Sequence, residues 1–149
     1  MKESQSIRIL NENLDMLQKA NFWLLKSYGI CEKYDLVAEL SEEQFDSYEI
    51  LSSRFGRVAD ILFNKVFRSI AYYEFAEITS LLDTLNFMEK KGLINSVHEA
   101  RLIKELRNEM VHEYLMEGVT ELFSEICRLC PVLLEMVENA QNYVQKIKN

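Results

Sequence analysis

The side chains best suited to chemistry cluster in residues 107–114, which read Arg-Asn-Glu-Met-Val-His-Glu-Tyr. Within this segment, Glu109 and His112 have the Glu-x-x-His spacing that supplies half of a di-iron site in helical bundles. Such a site needs a second pair and two further glutamates. The only other histidine, His98, has Asn95 at the matching position. The sequence therefore argues against a di-metal centre, and we expect no bound metal and no cofactor.

A second chemical pattern is the Cys-x-x-Cys formed by Cys127 and Cys130. A redox pair with this spacing belongs at a helix N-terminus in a βαβ unit, and a zinc site needs two more ligands. Here the pair lies in the middle of a predicted helix, and no second pair of cysteines or histidines lies nearby. We therefore predict that both thiols pack in the core as free thiols.

Arg107 and His112 lie near the end of a predicted helix, where a lone arginine and a lone histidine are normally surface residues. Asn108 lies one turn before His112 and could orient its ring, while Tyr114 shares a face with Arg107. Residues five apart on a straight helix point about 140° apart. The pair therefore meets only if Arg107 reaches around, if the helix loosens, or if a second chain completes the site.

Four cations stand on the predicted second helix of a chain whose net charge is -7. This charge argues against attraction of nucleic acid to the whole surface, so a phosphate site would have to be local. On a straight α-helix, Arg54, Arg57, Lys65 and Arg68 fall within an arc of about 80°. They form either a solvated charged face or a strip that binds phosphates, and Lys104 on the fourth helix is a further candidate contact.

The elements that carry these residues are predicted to be helices. The sequence has only 4 Gly and 1 Pro, too few for the many turns of a β-rich fold of this size. Its apolar residues recur at helical spacing along most of the chain. We therefore predict an all-α protein with one domain over residues 1–149, an up-and-down bundle of about five helices with a long C-terminal helix.

The pattern predicts helices over about residues 3–28, 42–73, 75–91, 96–114 and 119–147. Gly29 is expected to end the first helix, and Gly92 the third. Ser41-Glu42-Glu43-Gln44 is a capping-box pattern at the start of the second helix. Asn95 or Ser96 is expected to cap the fourth.

Two residues inside the predicted helices disfavour regular helical structure. Gly56 costs about 1 kcal/mol relative to alanine unless close packing compensates. Pro131 removes a backbone hydrogen bond and is expected to bend the last helix.

No targeting or membrane segment is evident in the sequence. Residues 1–6 lead into a charged amphipathic stretch that lacks the apolar core of a signal peptide. No apolar run approaches the roughly 20 residues that span a bilayer. We therefore expect a cytoplasmic protein without membrane contact.

Arg107-Asn108-Glu109-Met110-Val111-His112 resembles the signature of the HEPN superfamily, helical-bundle proteins of prokaryotic defence and toxin–antitoxin systems. That signature is an arginine, a polar residue, three further residues and a histidine. The extension to Tyr114 resembles the His-x-Tyr form of HEPN toxins that are paired with minimal nucleotidyltransferase antitoxins. The stretch from Ser52 to Arg57, followed by Asp60, is also similar to this group, as is Lys65-Val66-Phe67-Arg68. The resemblance covers residues 42–145.

The resemblance implies a metal-independent endoribonuclease toxin of a type VII-like system, acting as a homodimer without a cofactor. RNA would be cleaved to a 2′,3′-cyclic phosphate and a 5′-OH in a cleft shared by two chains. Arg107 would clamp the phosphate, and His112 would act as general acid or base. Asn108 would position one of these two side chains. The cognate antitoxin would neutralise the toxin by adding AMP to Tyr114.

Two other functions remain open from the sequence. The chain could be a non-catalytic subunit that binds a nucleotide or a substrate for a nucleotidyltransferase, with Arg107 and His112 holding phosphate without cleavage. It could also be a plain assembly module whose last helix forms an oligomer seam through its regular apolar stripe.

Overall fold

A computed structural model describes residues 2–112 and 118–148 of the chain, with side chains for residues 5–110 and 118–148. The described residues contain helices and no strand, which confirms the predicted all-α class. The helices are α1 (Lys2–Cys31), α2 (Glu42–Ile61), α3 (Phe67–Tyr73), α4 (Leu81–Lys90), α5 (Val97–His112) and α6 (Val119–Lys148), and a π-helical turn (Leu62–Val66) joins α2 to α3. Five helical rods result, because α2, the π turn and α3 are continuous.

The capping box at the start of α2 is confirmed. The Ser41 hydroxyl accepts a hydrogen bond from the backbone N–H of Gln44 at 3.1 Å, and the Gln44 side-chain oxygen accepts one from the backbone N–H of Ser41 at 3.1 Å. Glu42 and Glu43 add negative charge to the first turn, where the helix dipole favours it.

The long second rod ends at Tyr73, as predicted, but it contains the π turn, which the sequence did not predict. There the backbone N–H of Phe67 bonds to the carbonyl of Leu62, five residues back instead of four. The wider turn changes the angular position of every residue beyond it. An arc calculated for a straight α-helix therefore does not hold across Leu62–Val66.

The predicted start of the third helix at residue 75 is wrong, because α4 begins at Leu81. Phe75 has a left-handed backbone with φ of 58°, and the backbone N–H of Ala76 bonds back to the carbonyl of Ala71 at 2.9 Å. This is a Schellman ending, which usually uses glycine, so its signal was missing from the sequence. The hydroxyl of Ser80 then caps α4 by accepting from the backbone N–H of Asp83.

The glycine and cap predictions have mixed outcomes. Gly29 does not end α1, which continues to Cys31. Gly92 does follow the end of α4, with φ of 77°. Ser96, rather than Asn95, caps α5, because its hydroxyl accepts from the backbone N–H of Glu99 at 3.3 Å.

The core lies around α2, which packs on α1, α5 and α6. Its largest buried side chains include Tyr48, Phe55, Phe63 and Phe67. The apolar stripe of α6 is buried in the same core, notably through Leu122, Ile126, Leu129, Leu133, Met136 and Ala140. Most of this stripe is therefore buried within the chain. Little of it is left to form the oligomer seam of an assembly module.

The cysteines pack as predicted. Cys130 is fully buried and Cys127 is half-buried, and both are free thiols, as is the buried Cys31. Burial, reinforced by the neighbouring thiols, raises the pKa of Cys31 to about 11 and that of Cys130 to about 12. In a redox pair the reactive thiol has a lowered pKa, whereas the pKa of Cys130 is raised.

Helix α6 runs through Pro131 from Val119 to Lys148. The expected bend at Pro131 stays a prediction. Across the described ranges, no helix combines the length and apolarity needed to cross a bilayer.

Candidate functional site

Arg107 lies across α2 at Gly56. A methyl group built on Gly56 would lie 2.7 Å from Cδ of Arg107 and 3.0 Å from its Nε, closer than side chains pack. Because Gly56 has no Cβ, the arginine stem can rest directly on the helix surface. Gly56 was expected to destabilise this helix unless close packing compensates. Arg107 provides that packing.

Asp60, one turn after Gly56, holds the same side chain through a hydrogen bond to Nε. The Nε–H of Arg107 donates to Oδ2 of Asp60 at 3.1 Å. The two side chains are 31% and 38% exposed, so water screens the pair and its contribution to stability is small. Its main effect is orientation. A guanidinium carries five N–H donors, and the bond to Asp60 uses one of them.

A cavity of about 340 Å³ opens beside this pair, which we call the Arg107 cavity; it is lined by Ser53, Gly56, Arg57, Asp60, Ile61, Arg107 and Met110. Arg57 is exposed and forms no ion pair with any residue the structure describes. The described lining residues thus include two cations and one carboxylate. In a chain with a net charge of -7, this local excess of positive charge suits an anion.

The other motif residues are placed only in part. Asn108 is exposed on α5. His112 is the last residue of α5, but its side chain and all of Tyr114 lie outside the described residues. Because residues 107–112 are helical, positions 107 and 112 stay about 140° apart around the α5 axis. The roles of His112 and Tyr114 therefore stay predictions.

Arg54, the first cation of the predicted strip, is engaged in packing. Its Nη1 donates to the Ser27 hydroxyl at 2.7 Å and to the carbonyl of Trp23 at 3.3 Å, and its guanidinium lies 5.1 Å from the Trp23 ring centroid. These contacts tie α2 to α1. Arg57 lies next to this group and shares a second small cavity with Trp23 and Arg54.

The remaining cations line separate cavities. Lys65 and Arg68 line a cavity of about 570 Å³ against α1, and Lys104 lines one of about 220 Å³ against α4. Lys65 lies within the π turn and Arg68 lies beyond it, so their angular positions relative to Arg57 differ from those on a straight α-helix. Of the tentative phosphate contacts, the structure brings only Arg57 into the lining of the Arg107 cavity.

Neither Gly56 nor Asp60 was predicted from the sequence to have a role at the site. Both lie on α2, four residues apart, and both contact Arg107, which is 47 positions further along the chain than Asp60. The signal that could have found them is a glycine inside a strong helix with a carboxylate one turn later. Such a glycine marks a close approach by another element.

Neither a metal-binding cluster among the described side chains nor a similarity to a known protein adds to the evidence for this site. Among the described side chains, no group of three or more histidines, cysteines and carboxylates is arranged to hold a metal ion. The chain matches no protein-family model, no curated protein and no solved structure.

Proposed function

We propose that this protein is a HEPN-type ribonuclease toxin whose active site uses Arg107, Asn108 and His112. The observation that supports this most is the fixed position of Arg107 on Gly56 and Asp60 beside the exposed Arg57. An arginine held in advance of substrate binding stabilises a phosphate without having to be ordered at the moment of reaction.

The proposed reaction is a transesterification within RNA. The 2′-oxygen attacks the adjacent phosphorus, and the bond from phosphorus to the 5′-oxygen of the next nucleotide breaks. His112 accepts the proton of the 2′-OH or donates one to the leaving 5′-oxygen, and Arg107 stabilises the charge that develops on the phosphate. The products are a 2′,3′-cyclic phosphate and a 5′-OH.

The proposal includes a homodimer with a shared cleft. Positions 107 and 112 are about 140° apart on α5, so one chain does not easily direct both side chains at one phosphate. In a two-fold dimer, Arg107 of one chain and His112 of the other can face the same strand.

The proposed control is AMP addition to Tyr114 by a cognate minimal nucleotidyltransferase antitoxin. Tyr114 follows α5 in sequence, and the added phosphate would bring negative charge and bulk beside the proposed cleft. RNA would then be excluded by repulsion and by obstruction. The proposed location is the cytoplasm, where such a toxin meets RNA.

The alternative is a non-catalytic subunit that binds a nucleotide or substrate for a nucleotidyltransferase. It draws on the same observation, because an oriented arginine beside a second cation binds phosphate whether or not a proton is transferred. The two functions differ in whether His112 acts on a bound strand.

The deciding experiment is RNA cleavage by the purified protein in EDTA. We expect cleavage by the wild type and a loss of about 100-fold or more in Arg107→Ala and in His112→Ala. Arg101→Ala, an exposed arginine on the same helix, is the matched control and should retain activity. Intact RNA after incubation with the wild type, together with tight nucleotide binding that Arg107→Ala weakens, would reject the nuclease in favour of the alternative.

Mixing two inactive variants tests the shared cleft. A heterodimer of Arg107→Ala and His112→Ala contains one complete site, so an equal mixture should recover about a quarter of wild-type activity. Light scattering during gel filtration should give twice the mass of one chain. A monomer, or a mixture that stays inactive while heterodimers form, contradicts the shared cleft.

A further inference from the structure

A second cavity lies away from the Arg107 cavity, between the N-terminal half of α1 and the segment that runs from the π turn past α3. Its volume is about 570 Å³, within the range of small-molecule sites. We call it the Lys65 groove; it is lined by Ser6, Ile9, Asn13, Asn64, Lys65, Arg68, Ser69, Tyr72, Ala76 and Ile78. None of these described lining residues is a carboxylate, although acidic residues outnumber basic ones in the chain by 24 to 17.

The two cations of the groove are not neutralised by described neighbours. Lys65 and Arg68 are both exposed, and the ion pairs of the described residues include neither. The side-chain amides of Asn13 and Asn64 add hydrogen-bonding groups of either polarity to the lining. The groove thus combines unpaired positive charge with hydrogen-bond donors, which is the chemistry that recognises a phosphate.

The wall that carries Lys65 is held in place by a hydrogen-bond chain. Asn13 on α1 donates to the Ser69 hydroxyl at 2.6 Å, and Ser69 donates to the backbone carbonyl of Lys65 at 2.7 Å. Asn64 and Lys65 also belong to the π turn, a distortion that occurs frequently at functional sites. The hydrogen-bond chain therefore fixes the backbone of the π turn at Lys65 relative to α1.

Tyr72 supplies a flat surface beside the cations. It lies one turn after Arg68 on α3, and its side chain is 58% exposed. Ile9, Ala76 and Ile78 form an apolar part of the same lining. An exposed aromatic ring next to basic residues is the arrangement on which nucleic-acid bases stack.

We propose that the Lys65 groove binds a nucleotide unit, with its phosphate on Lys65 and Arg68 and its base stacked on Tyr72. The unit can come from a free nucleotide or from single-stranded RNA, which share this chemistry. The inference goes beyond the proposed function, because binding in the groove requires no cleavage at Arg107.

Binding is measured with two probes, AMP by calorimetry and a fluorescein-labelled 2′-O-methyl pentanucleotide by anisotropy. The methylated strand has no 2′-OH and cannot be cleaved by the proposed reaction. Lys65→Ala combined with Arg68→Ala should weaken at least one probe by about tenfold or more. Lys33→Ala combined with Lys146→Ala removes two exposed charges outside the groove and should change binding by less than about twofold.

Tyr72 distinguishes a nucleotide from a bare phosphate. Tyr72→Ala should weaken the same probe by about fivefold or more, whereas Tyr72→Phe should bind like the wild type because it keeps the ring. If the groove variants weaken AMP binding more, the groove is assigned to free nucleotides. If they weaken binding of the methylated strand more, it is assigned to RNA.

Three results would overturn the inference. They are no binding of either probe to the wild type, equal losses in the two double variants, and wild-type binding by Tyr72→Ala. Thermal melts identify any variant that fails to fold, and Lys65→Gln with Arg68→Gln then replaces the alanine pair. Arg107→Ala should retain groove binding, so a failed nuclease proposal and a failed groove are separate results.

Discussion

Arg107 is positioned by two residues of α2 that have different physical roles. Gly56 provides space, since any Cβ there would contact the arginine stem, and Asp60 provides a charged acceptor for Nε. Together they place Cδ of Arg107 against the surface of α2 and its Nε–H on a carboxylate. The residue-scale geometry therefore depends on a missing side chain as much as on an ion pair.

Gly56→Ala should separate position from stability. The new methyl displaces the flexible Arg107 stem while alanine favours the helix, so the free energy of unfolding should stay within about 1 kcal/mol of the wild type. RNA cleavage should fall towards the level of Arg107→Ala. Gly29→Ala is the matched control, because nothing lies within 4 Å of a Cβ at Gly29. It should raise stability by up to about 1 kcal/mol and leave cleavage unchanged.

Thermal denaturation and the cleavage assay give both readouts. Full cleavage by Gly56→Ala would contradict the importance of the resting position of Arg107.

The thiols should be inert in the folded protein. Burial raises the pKa of Cys130 to about 12 and that of Cys31 to about 11, so very little reactive thiolate is present near neutral pH. Iodoacetamide at pH 7.5 should therefore modify neither residue in the native protein, and should modify all three cysteines after unfolding in guanidinium. Mass spectrometry counts the adducts. Rapid native labelling of Cys31 or Cys130 would show that the core opens there.

At the scale of elements, the π turn decides where the cations of the second rod lie. Arg57 precedes this turn and lines the Arg107 cavity, whereas Lys65 lies within the turn and lines the Lys65 groove. The start of that rod is simpler, because the Ser41 cap satisfies backbone N–H groups that no helix partner can reach.

Ser41→Ala should lower the free energy of unfolding by about 1 kcal/mol, because it removes the acceptor for the Gln44 N–H. Urea denaturation measures the change. Ser124→Ala, at an exposed position inside α6, is the control and should alter stability by less than about 0.5 kcal/mol. Equal stabilities of Ser41→Ala and the wild type would mean that water replaces the cap without loss.

At the scale of the whole molecule, the last helix is tied to the middle of the chain through Glu74. The Tyr143 hydroxyl donates to one carboxylate oxygen, and Lys91 pairs with the other at 3.2 Å. The Tyr143 hydrogen bond, followed by Lys91, lowers the pKa of Glu74 from its ordinary value of 4.5. The contact joins α6 to the segments that follow α3 and α4.

Because folding lowers the pKa of Glu74, the stability of the protein should depend on pH. A carboxyl group whose pKa is lowered by folding stabilises the protein above its unfolded pKa, and this contribution disappears as pH falls through the folded pKa. Tyr143→Phe should therefore have a lower melting temperature than the wild type at pH 7. The difference between the two melting temperatures should narrow as the pH falls below 4.5. Tyr72→Phe, at an exposed ring, should follow the wild type throughout.

Melting temperatures between pH 7 and pH 3 measure the effect. A difference that stays constant over this range would assign the role of Tyr143 to packing instead.

Local signals in the sequence determined much of the fold. Helical periodicity gave the all-α class and a second rod ending at Tyr73, and the side chains of Ser41 and Gln44 gave its cap. Core packing of Cys127 and Cys130 was predicted because a Cys-x-x-Cys in the middle of a helix fits neither a redox pair nor a zinc site, and Cys130 is buried while Cys127 is half-buried. These features depend on residues within a turn or two of one another, so their physical causes are visible in the sequence. The motif from Arg107 to Tyr114 was visible for the same reason.

Only the tertiary structure decided what Arg107 contacts. Its partners lie on another helix, about fifty positions earlier, and packing rather than local propensity brings them together. The ending at Phe75 and the π turn at Leu62–Val66 also lacked a local signal, because neither uses the glycine or proline that usually marks a break. Sequence chemistry therefore identified the arginine, while the packing of α5 on α2 determined its orientation.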